Sequence, residues 1–244
     1  MSVIHAVLFD LDDTLFAHRD AVTDGLVSHL RSLGHPYDIT DQAAELAAWR
    51  ELEEHHYHRY LRGEVPSDGQ RADRARDYAA RHGVALTPDE ALEWWSAFFA
   101  HYQEHWRLHE DALPCLDELQ RRIPGVRFGI ITNGELDYQL RKIDAVGLGD
   151  RFDTVVASGA VGVTKPDTRI FRLACDRLGV RPDQTVYVGD RLGTDAVGAA
   201  HAGLTGVWLD RHNTAVSAEE RDAAEQLGVV RITALDELVT ALLA

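Results

Sequence analysis

The chain has 244 residues, 45% of them hydrophobic, which is enough to bury one sizeable core with a smaller second domain. Its formal net charge of −15 at pH 7 would repel a nucleic-acid backbone, and no long basic stretch interrupts this acidic composition. A nucleic-acid polymer is therefore not expected as a partner. No apolar run approaches membrane-spanning length and the first residues lead directly into a strand-like segment, so we expect neither export nor a membrane anchor.

Cysteine and lysine are both rare in this chain. Cys115 and Cys175 have no neighbouring ligands at metal-binding spacing, so we expect two reduced structural thiols and a cytoplasmic location. Of the 25 basic residues only Lys142 and Lys165 are lysines, and all the others are arginines. A lysine in this chain is an exception that calls for a specific chemical reason.

The first predicted element is a strand over residues 3–9, which ends at the acidic string DLDDT. Helical periodicity without a convincing strand follows as far as about residue 108, with breaks at glycine and proline. Beyond this point strands and helices alternate, which is typical of a parallel sheet flanked by helices. The later predicted strands cover residues 126–132, 154–158, 185–188 and 206–209, with one more after residue 228.

These elements predict an α/β fold with a doubly wound, Rossmann-like core and an inserted all-helical cap domain. The core would comprise residues 1–15 and 110–244, and the cap residues 16–109. An insertion of this length is too long for a connecting loop. It would leave the sheet at the carboxyl edge, where open α/β sheets place their active sites, so we expect it to serve as a lid.

Two carboxylates, Asp10 and Asp12, follow the first predicted strand and are separated by one residue. Both can face a common centre if the backbone leaves the extended conformation there. Such a cluster of oxygen ligands favours magnesium over zinc. An acidic turn after a strand produces the same string, so this motif alone leaves both interpretations open.

Three later segments place polar groups at the ends of strands or the starts of helices. Asp190 stands at the end of a predicted strand, and Asp195 lies in the first turn of the helix that follows. Thr132 and Asn133 could donate to an anion at another strand end, although a threonine there could equally cap a helix. Lys165 precedes a proline and a helix start, where a compact ammonium could neutralise both an aspartate and a phosphate oxygen.

In this order the segments resemble the four motifs of the haloacid dehalogenase-like (HAD) hydrolase superfamily, and the resemblance covers the whole chain. The position of the helical insertion resembles the branch with a helical type 1 cap. Residues 49–64 and 131–134 are similar to members that act as nucleotidases or N-acylneuraminate 9-phosphatases. The matching motif positions are Asp10 to Thr14, Thr132, Lys165, and Asp190 with Asp195.

The resemblance implies a magnesium-dependent phosphohydrolase acting on a small phosphorylated metabolite, as a monomer or weak homodimer. Asp10 would attack phosphorus and form an aspartyl-phosphate. Asp12 would protonate the leaving oxygen and then activate the hydrolytic water. Magnesium would be bound by Asp10, by the Asp12 backbone carbonyl and by Asp190, with Asp195 holding the ligands in place.

The same resemblance gives the remaining site residues their roles. Thr132 and Lys165 would be catalytic, because they would hold the oxygens of the phosphoryl group during transfer. Asn133 would contribute to binding of the substrate phosphate, and Lys165 would also restrain Asp10.

Several alternatives share this scaffold. A 2-haloacid dehalogenase expels halide, which leaves without a proton, so it needs neither an acid at Asp12 nor a metal ligand at Asp190. A phosphonate-cleaving enzyme would need a cap lysine, and residues 16–110 contain none. A phosphomutase shares the core motifs and stays open. A non-catalytic scaffold is least favoured because all the motif acids and Lys165 are present.

The chain also departs from the pattern of many relatives. Asp13 stands where glycine is frequent, and residues 158–162 lack an acidic pair that nucleotidase-like members often carry. In the cap, His55 and His58 could share a helix face but lack a third ligand, so we interpret them as a polar surface. Trp94 recurs with other aromatic residues at helical spacing and is expected in the cap core.

Overall fold

The computed structural model describes residues 3–243, which divide into two compact units. The first unit, which we call the core, runs up to Ala17 and resumes at Arg107. The second unit, His18–Trp106, is the cap.

The core is built on a six-stranded parallel sheet with the strand order β3-β2-β1-β4-β5-β6. This order is the doubly wound arrangement predicted from the sequence, and the fold class is confirmed. The strands are β1 (Ala6–Phe9), β2 (Arg127–Thr132), β3 (Thr154–Ala157), β4 (Thr185–Gly189), β5 (Thr205–Leu209) and β6 (Val230–Ile232).

The position of β1 in the middle of the sheet follows from its composition. All four of its residues are apolar and buried, as expected for a parallel strand covered on both faces. It pairs with β2 and β4 so that Phe9 lies opposite Ile130 on one side and Val188 on the other. The carboxyl ends of these three strands therefore lie at the same edge of the sheet.

Helices of the core pack on the sheet through apolar side chains. Ile170 and Phe171, for example, are fully buried against Leu8 and Tyr187. Burying one such side chain stabilises the fold by about 2 kcal/mol. The core helices are α5 (Ala112–Arg122), α6 (Leu136–Ala145), α7 (Ser158–Val161), α8 (Thr168–Leu178), α9 (Gly198–His201), α10 (Ala218–Gln226) and α11 (Leu238–Leu243).

The structure differs from the sequence-based expectation in local detail. The first strand begins at Ala6 instead of residue 3, and the predicted helix that contains Asp195 is not a regular α-helix throughout. There the chain forms a π-helical turn at Leu192–Val197 before the short α9. The wider turn is closed by a hydrogen bond from the Gly198 N–H to the Gly193 carbonyl. The helices α7 and α10 were not predicted.

The cap consists of helices whose apolar faces meet in an aromatic cluster. The rings of Trp49 and Phe98 lie 4.5 Å apart, and Tyr78 and Trp94 pack around them. Arg74 stacks on Trp95 at 4.8 Å, so a charged side chain closes the cluster. The cap helices are α1 (His18–Leu33), α2 (Gln42–Leu61), α3 (Ser67–Arg81) and α4 (Pro88–Glu104).

Local sequence signals account for the ends of these helices. Thr87 and Glu90 form a capping box at the start of α4, with Pro88 at its first position. Asp41 accepts a hydrogen bond from the Ala44 N–H at the start of α2. Between residues 3 and 243, no helix is both long and apolar enough to cross a membrane.

Candidate active site

The predicted site residues lie where the central strands end. Asp10 directly follows β1, Thr132 is the last residue of β2, and Asp190 directly follows β4. The Asp10 N–H donates to the carbonyl of Val188 at 2.8 Å, which continues the β1–β4 ladder one residue further. The in-register pairing of these strands therefore brings the three side chains to one edge of the sheet.

The chain leaves the extended conformation after Asp10 in a tight turn. The Asp13 N–H donates to the Phe16 carbonyl at 2.7 Å, and Asp13 has a φ of 61°. Aspartate is one of the few residues other than glycine that adopts this left-handed conformation readily. The substitution of aspartate for the frequent glycine thus preserves the turn.

Lys165 lies buried beside Asp10. Its Nζ is 2.5 Å from Asp10 Oδ1, 2.8 Å from Asp195 Oδ1 and 2.8 Å from the Tyr187 hydroxyl. The side-chain amide of Asn133 fixes the Lys165 backbone, because Oδ1 accepts from its N–H at 2.8 Å and Nδ2 donates to its carbonyl at 3.1 Å. Asn133 therefore connects the end of β2 to the loop that contains Lys165.

Asp195 is held from two sides. Its Oδ2 accepts the Arg191 N–H at 2.9 Å, while Oδ1 contacts Lys165. A Cβ atom on Gly189 would lie 2.5 Å from the Asp195 side chain, so only glycine allows this approach. The indole N–H of Trp208 donates to the Asp190 carbonyl at 3.0 Å and fixes the neighbouring backbone.

Asp10, Asp190 and Asp195 each contribute a carboxylate oxygen to one group in which these atoms lie within 4.8 Å of one another. Burial and the nearby Asp195 raise the pKa of Asp10 to about 7, against the opposing effect of Lys165. Burial, Asp195 and Asp10 raise the pKa of Asp190 well above its usual range. Both shifts come chiefly from burial, and the neighbouring carboxylates add to them.

This arrangement fits a hard divalent cation. The donors are carboxylate oxygens, which magnesium prefers, and a divalent cation would balance the two negative charges that three carboxylates and Lys165 leave. Both oxygens of Asp195 are already engaged by the main chain and Lys165, whereas Asp10 and Asp190 stand at the strand ends. The family generally uses Mg²⁺, and the acidic group could bind it.

Asp12 lies in a different environment from Asp10. Its Oδ1 is 2.6 Å from Lys142 Nζ, and its Oδ2 accepts from Gln139 Nε2 at 3.1 Å. The same Gln139 group donates to Thr132 Oγ1 at 2.8 Å. Two acids at one strand end are therefore each paired with a different lysine.

Sequence reasoning missed Lys142, Gln139 and Tyr187. For Lys142 a signal was present, since the rarity that singled out Lys165 applies equally to the second lysine. No comparable signal marked Gln139 or Tyr187, because each resembles an ordinary helix or strand residue until its neighbours are known.

Comparisons with known proteins agree with this geometry. The family model described as haloacid dehalogenase-like hydrolase matches residues 4–203. A ribulose-1,5-bisphosphate 5-phosphatase of Halopiger xanaduensis is 32% identical over 96% of this chain and 97% of its own. An N-acylneuraminate-9-phosphatase of Rattus norvegicus is 30% identical over 86% and 84%, respectively. A phosphoserine phosphatase of Thermus thermophilus is 40% identical, over 51% of this chain and 49% of its own.

Among solved structures, the HAD hydrolase YfnB of Bacillus subtilis bound to magnesium has a TM-score of 0.79 with full coverage of both chains. The two sequences are 20% identical, so this likeness speaks for the fold alone. The matched range and the full-length relatives confirm the resemblance seen in the four motifs. The chain is an enzyme that belongs to the haloacid dehalogenase-like hydrolases.

Proposed function

We propose that this hydrolase is a magnesium-dependent phosphatase that cleaves a phosphate monoester of a small metabolite through an aspartyl-phosphate on Asp10. The observation that carries the proposal is that Asp10 and Asp12, two residues apart in the chain, have different charged neighbours. Asp10 lies among carboxylates beside Lys165, and Asp12 is held apart by Lys142. The curated relatives named above are phosphatases, which supports phosphoester hydrolysis as the reaction.

We assign the metal to Asp10, Asp190 and the backbone carbonyl of Asp12, with Asp195 orienting the group. Bound magnesium would neutralise Asp10 and the substrate phosphate so that two anions can approach. Lys165 lies against Asp10 Oδ1 and restrains the nucleophile. The excess of carboxylates over the Lys165 ammonium supports this assignment.

Each remaining residue then has a defined task. Asp10 attacks phosphorus, and Asp12 gives a proton to the leaving oxygen and later takes one from water. Thr132 and Lys165 bind the oxygens of the phosphoryl group. Because the side chain of Asn133 fixes the Lys165 backbone, we assign its contribution to phosphate binding to its main-chain N–H.

A dehalogenase needs no proton donor for the departing halide. The contacts that hold Asp12, and the carboxylate group around Asp190, therefore favour phosphoryl transfer. A phosphomutase would use the same core residues and would show itself by transfer of phosphate to a second hydroxyl instead of water. The cytoplasmic location and the monomeric or weakly dimeric state stay predictions from the sequence.

The test is phosphate release from p-nitrophenyl phosphate with and without Mg²⁺. We expect turnover that a chelator removes and Mg²⁺ restores, no turnover for Asp10→Asn, and strongly reduced turnover for Asp12→Asn. The matched control is Asp176→Asn, because Asp176 is an exposed aspartate on α8. This variant should behave as wild type. Metal-independent turnover, or halide release from 2-haloacids, would contradict the proposal.

The substrate class is then found with a panel of nucleoside monophosphates, sugar phosphates and phosphoglycolate. Free inorganic phosphate as the product identifies a phosphatase, whereas an isomeric phosphate ester identifies a mutase. The comparison of kcat/KM across the panel ranks the classes, because this ratio measures discrimination between competing substrates.

A further inference from the structure

We propose that Lys142, together with Gln139, is a positioning residue that holds the Asp12 carboxylate for proton transfer to the leaving group. The inference rests on the phosphatase function proposed above. It assigns a role to two α6 residues outside the four motifs.

Both oxygens of Asp12 are contacted from α6. Lys142 Nζ lies 2.6 Å from Oδ1, and Gln139 Nε2 lies 3.1 Å from Oδ2. The two residues are three positions apart, so they stand on the same face of the helix. One contact on each oxygen fixes the plane of the carboxylate. Because a carboxylate has about four acceptor positions, these two contacts do not use all of them.

Lys142 is held in turn by its surroundings. It is 1% exposed, and its Nζ lies 4.9 Å from the ring centre of Phe16 and 4.6 Å from that of Tyr138. These two rings and the Asp12 carboxylate surround the ammonium and fix its position. A buried cation with a short contact to Asp12 is a rigid partner for that acid.

The site also makes room for Gln139. A Cβ atom on Gly134 would lie 2.8 Å from Gln139 Nε2, so the glycine after Asn133 allows the amide to reach its position. The same Nε2 donates to Thr132 Oγ1 at 2.8 Å, which couples Asp12 to the predicted phosphate-binding threonine. Gln139 thus links the proton-transferring acid to the end of β2.

Composition supports a specific role. The chain has two lysines among 25 basic residues, and each Nζ lies within hydrogen-bond distance of one of the two predicted catalytic aspartates. A planar guanidinium is bulkier than an ammonium and would not occupy the same space between two rings and a carboxylate. Both lysines of this chain therefore stand where a compact charge meets an acid.

The transfer of the Asp12 proton determines how the rate depends on the leaving group. Asp12 enters this step protonated. As the bond from phosphorus to the leaving oxygen breaks, that oxygen takes the electron pair and accepts the Asp12 proton, and Asp12 becomes the carboxylate that Lys142 and Gln139 hold. Nitrophenolate is stable without this proton, whereas an alkoxide is not. If Asp12 is poorly positioned, hydrolysis of alkyl esters should therefore slow far more than hydrolysis of nitrophenyl esters.

The experiment measures kcat/KM of Lys142→Met for p-nitrophenyl phosphate, phenyl phosphate and an alkyl phosphate that the wild type hydrolyses. Arg141→Met is the control, because it removes the same charge from the adjacent, exposed position of α6. We expect Lys142→Met to lose about 100-fold on the alkyl ester and about tenfold or less on the nitrophenyl ester, in line with the usual contribution of general acid catalysis. Gln139→Met should change the ratio in the same direction by a smaller factor.

The ratio of the two rates is the decisive quantity, since partial unfolding lowers both rates equally. A Lys142→Met enzyme that slows on all esters by one factor, or keeps the ratio of Arg141→Met, would overturn the positioning role while leaving the phosphatase function intact. A wild type that hydrolyses none of the esters would overturn both.

Discussion

His29 in the cap provides a sharp test of how burial controls stability. It is 1% exposed on α1, and its ring packs 4.5 Å from the ring of Trp94. Within residues 3–243, neither of its ring nitrogens has a hydrogen-bond partner. Burial, with a contribution from His101, lowers its pKa from 6.5 to about 4.

The pH dependence follows from this shift. A lowered pKa means that the unfolded chain takes up the proton first, so the stabilisation is complete above pH 6.5 and is lost as the pH falls towards 4. At 1.36 kcal/mol per pKa unit, His29 alone should remove about 2 kcal/mol of unfolding free energy between pH 7 and pH 5. His29→Leu should remove this part of the pH dependence.

The assay is urea unfolding of wild type and His29→Leu at both pH values, followed by tryptophan fluorescence. Four of the five tryptophans lie in the cap, so the signal reports on the unit that contains His29. Any packing change in the variant cancels in the comparison between pH values. His35→Leu at an exposed site serves as the control. An equal pH dependence in wild type and His29→Leu would refute the reasoning.

Two further substitutions test contacts within the core. Gly189→Ala should lower the free energy of unfolding by about 1–3 kcal/mol, because the new methyl group collides with Asp195. Gly193 has open space around it, so Gly193→Ala should leave the free energy of unfolding unchanged. Equal urea midpoints for the two variants would contradict this expectation. Tyr187→Phe removes a hydroxyl that contacts Lys165 Nζ and should cost about 1 kcal/mol in thermal unfolding together with a few-fold loss of kcat. Unchanged melting and turnover would show that this hydroxyl does not restrain the lysine.

The parallel, doubly wound sheet could be predicted because its strands have local sequence signals. The apolar run before Asp10 and the run before Asp190 are both continuous, as buried parallel strands require. Their carboxyl ends then had to meet at one sheet edge. The sequence therefore predicts that Asp10 and Asp190 come together.

The partners of Asp12 could not be predicted in the same way. Lys142 and Gln139 reach it from about 130 positions away in the chain, and their approach depends on how α6 packs beside β1. Likewise, Asp195 lies in the π-helical turn at Leu192–Val197 and contacts Lys165, which belongs to a different segment of the chain. Long-range contacts of this kind are decided by packing, which sequence patterns describe only coarsely.

In the proposed mechanism Asp10 carries the phosphoryl group as a covalent intermediate. Acid quenching during turnover with Mg²⁺, followed by peptide mass analysis, should find one added phosphoryl group on the peptide that contains Asp10. The same treatment of Asp10→Asn should find none. Phosphate release by wild type without any such adduct, together with continued turnover by Asp10→Asn, would contradict the account.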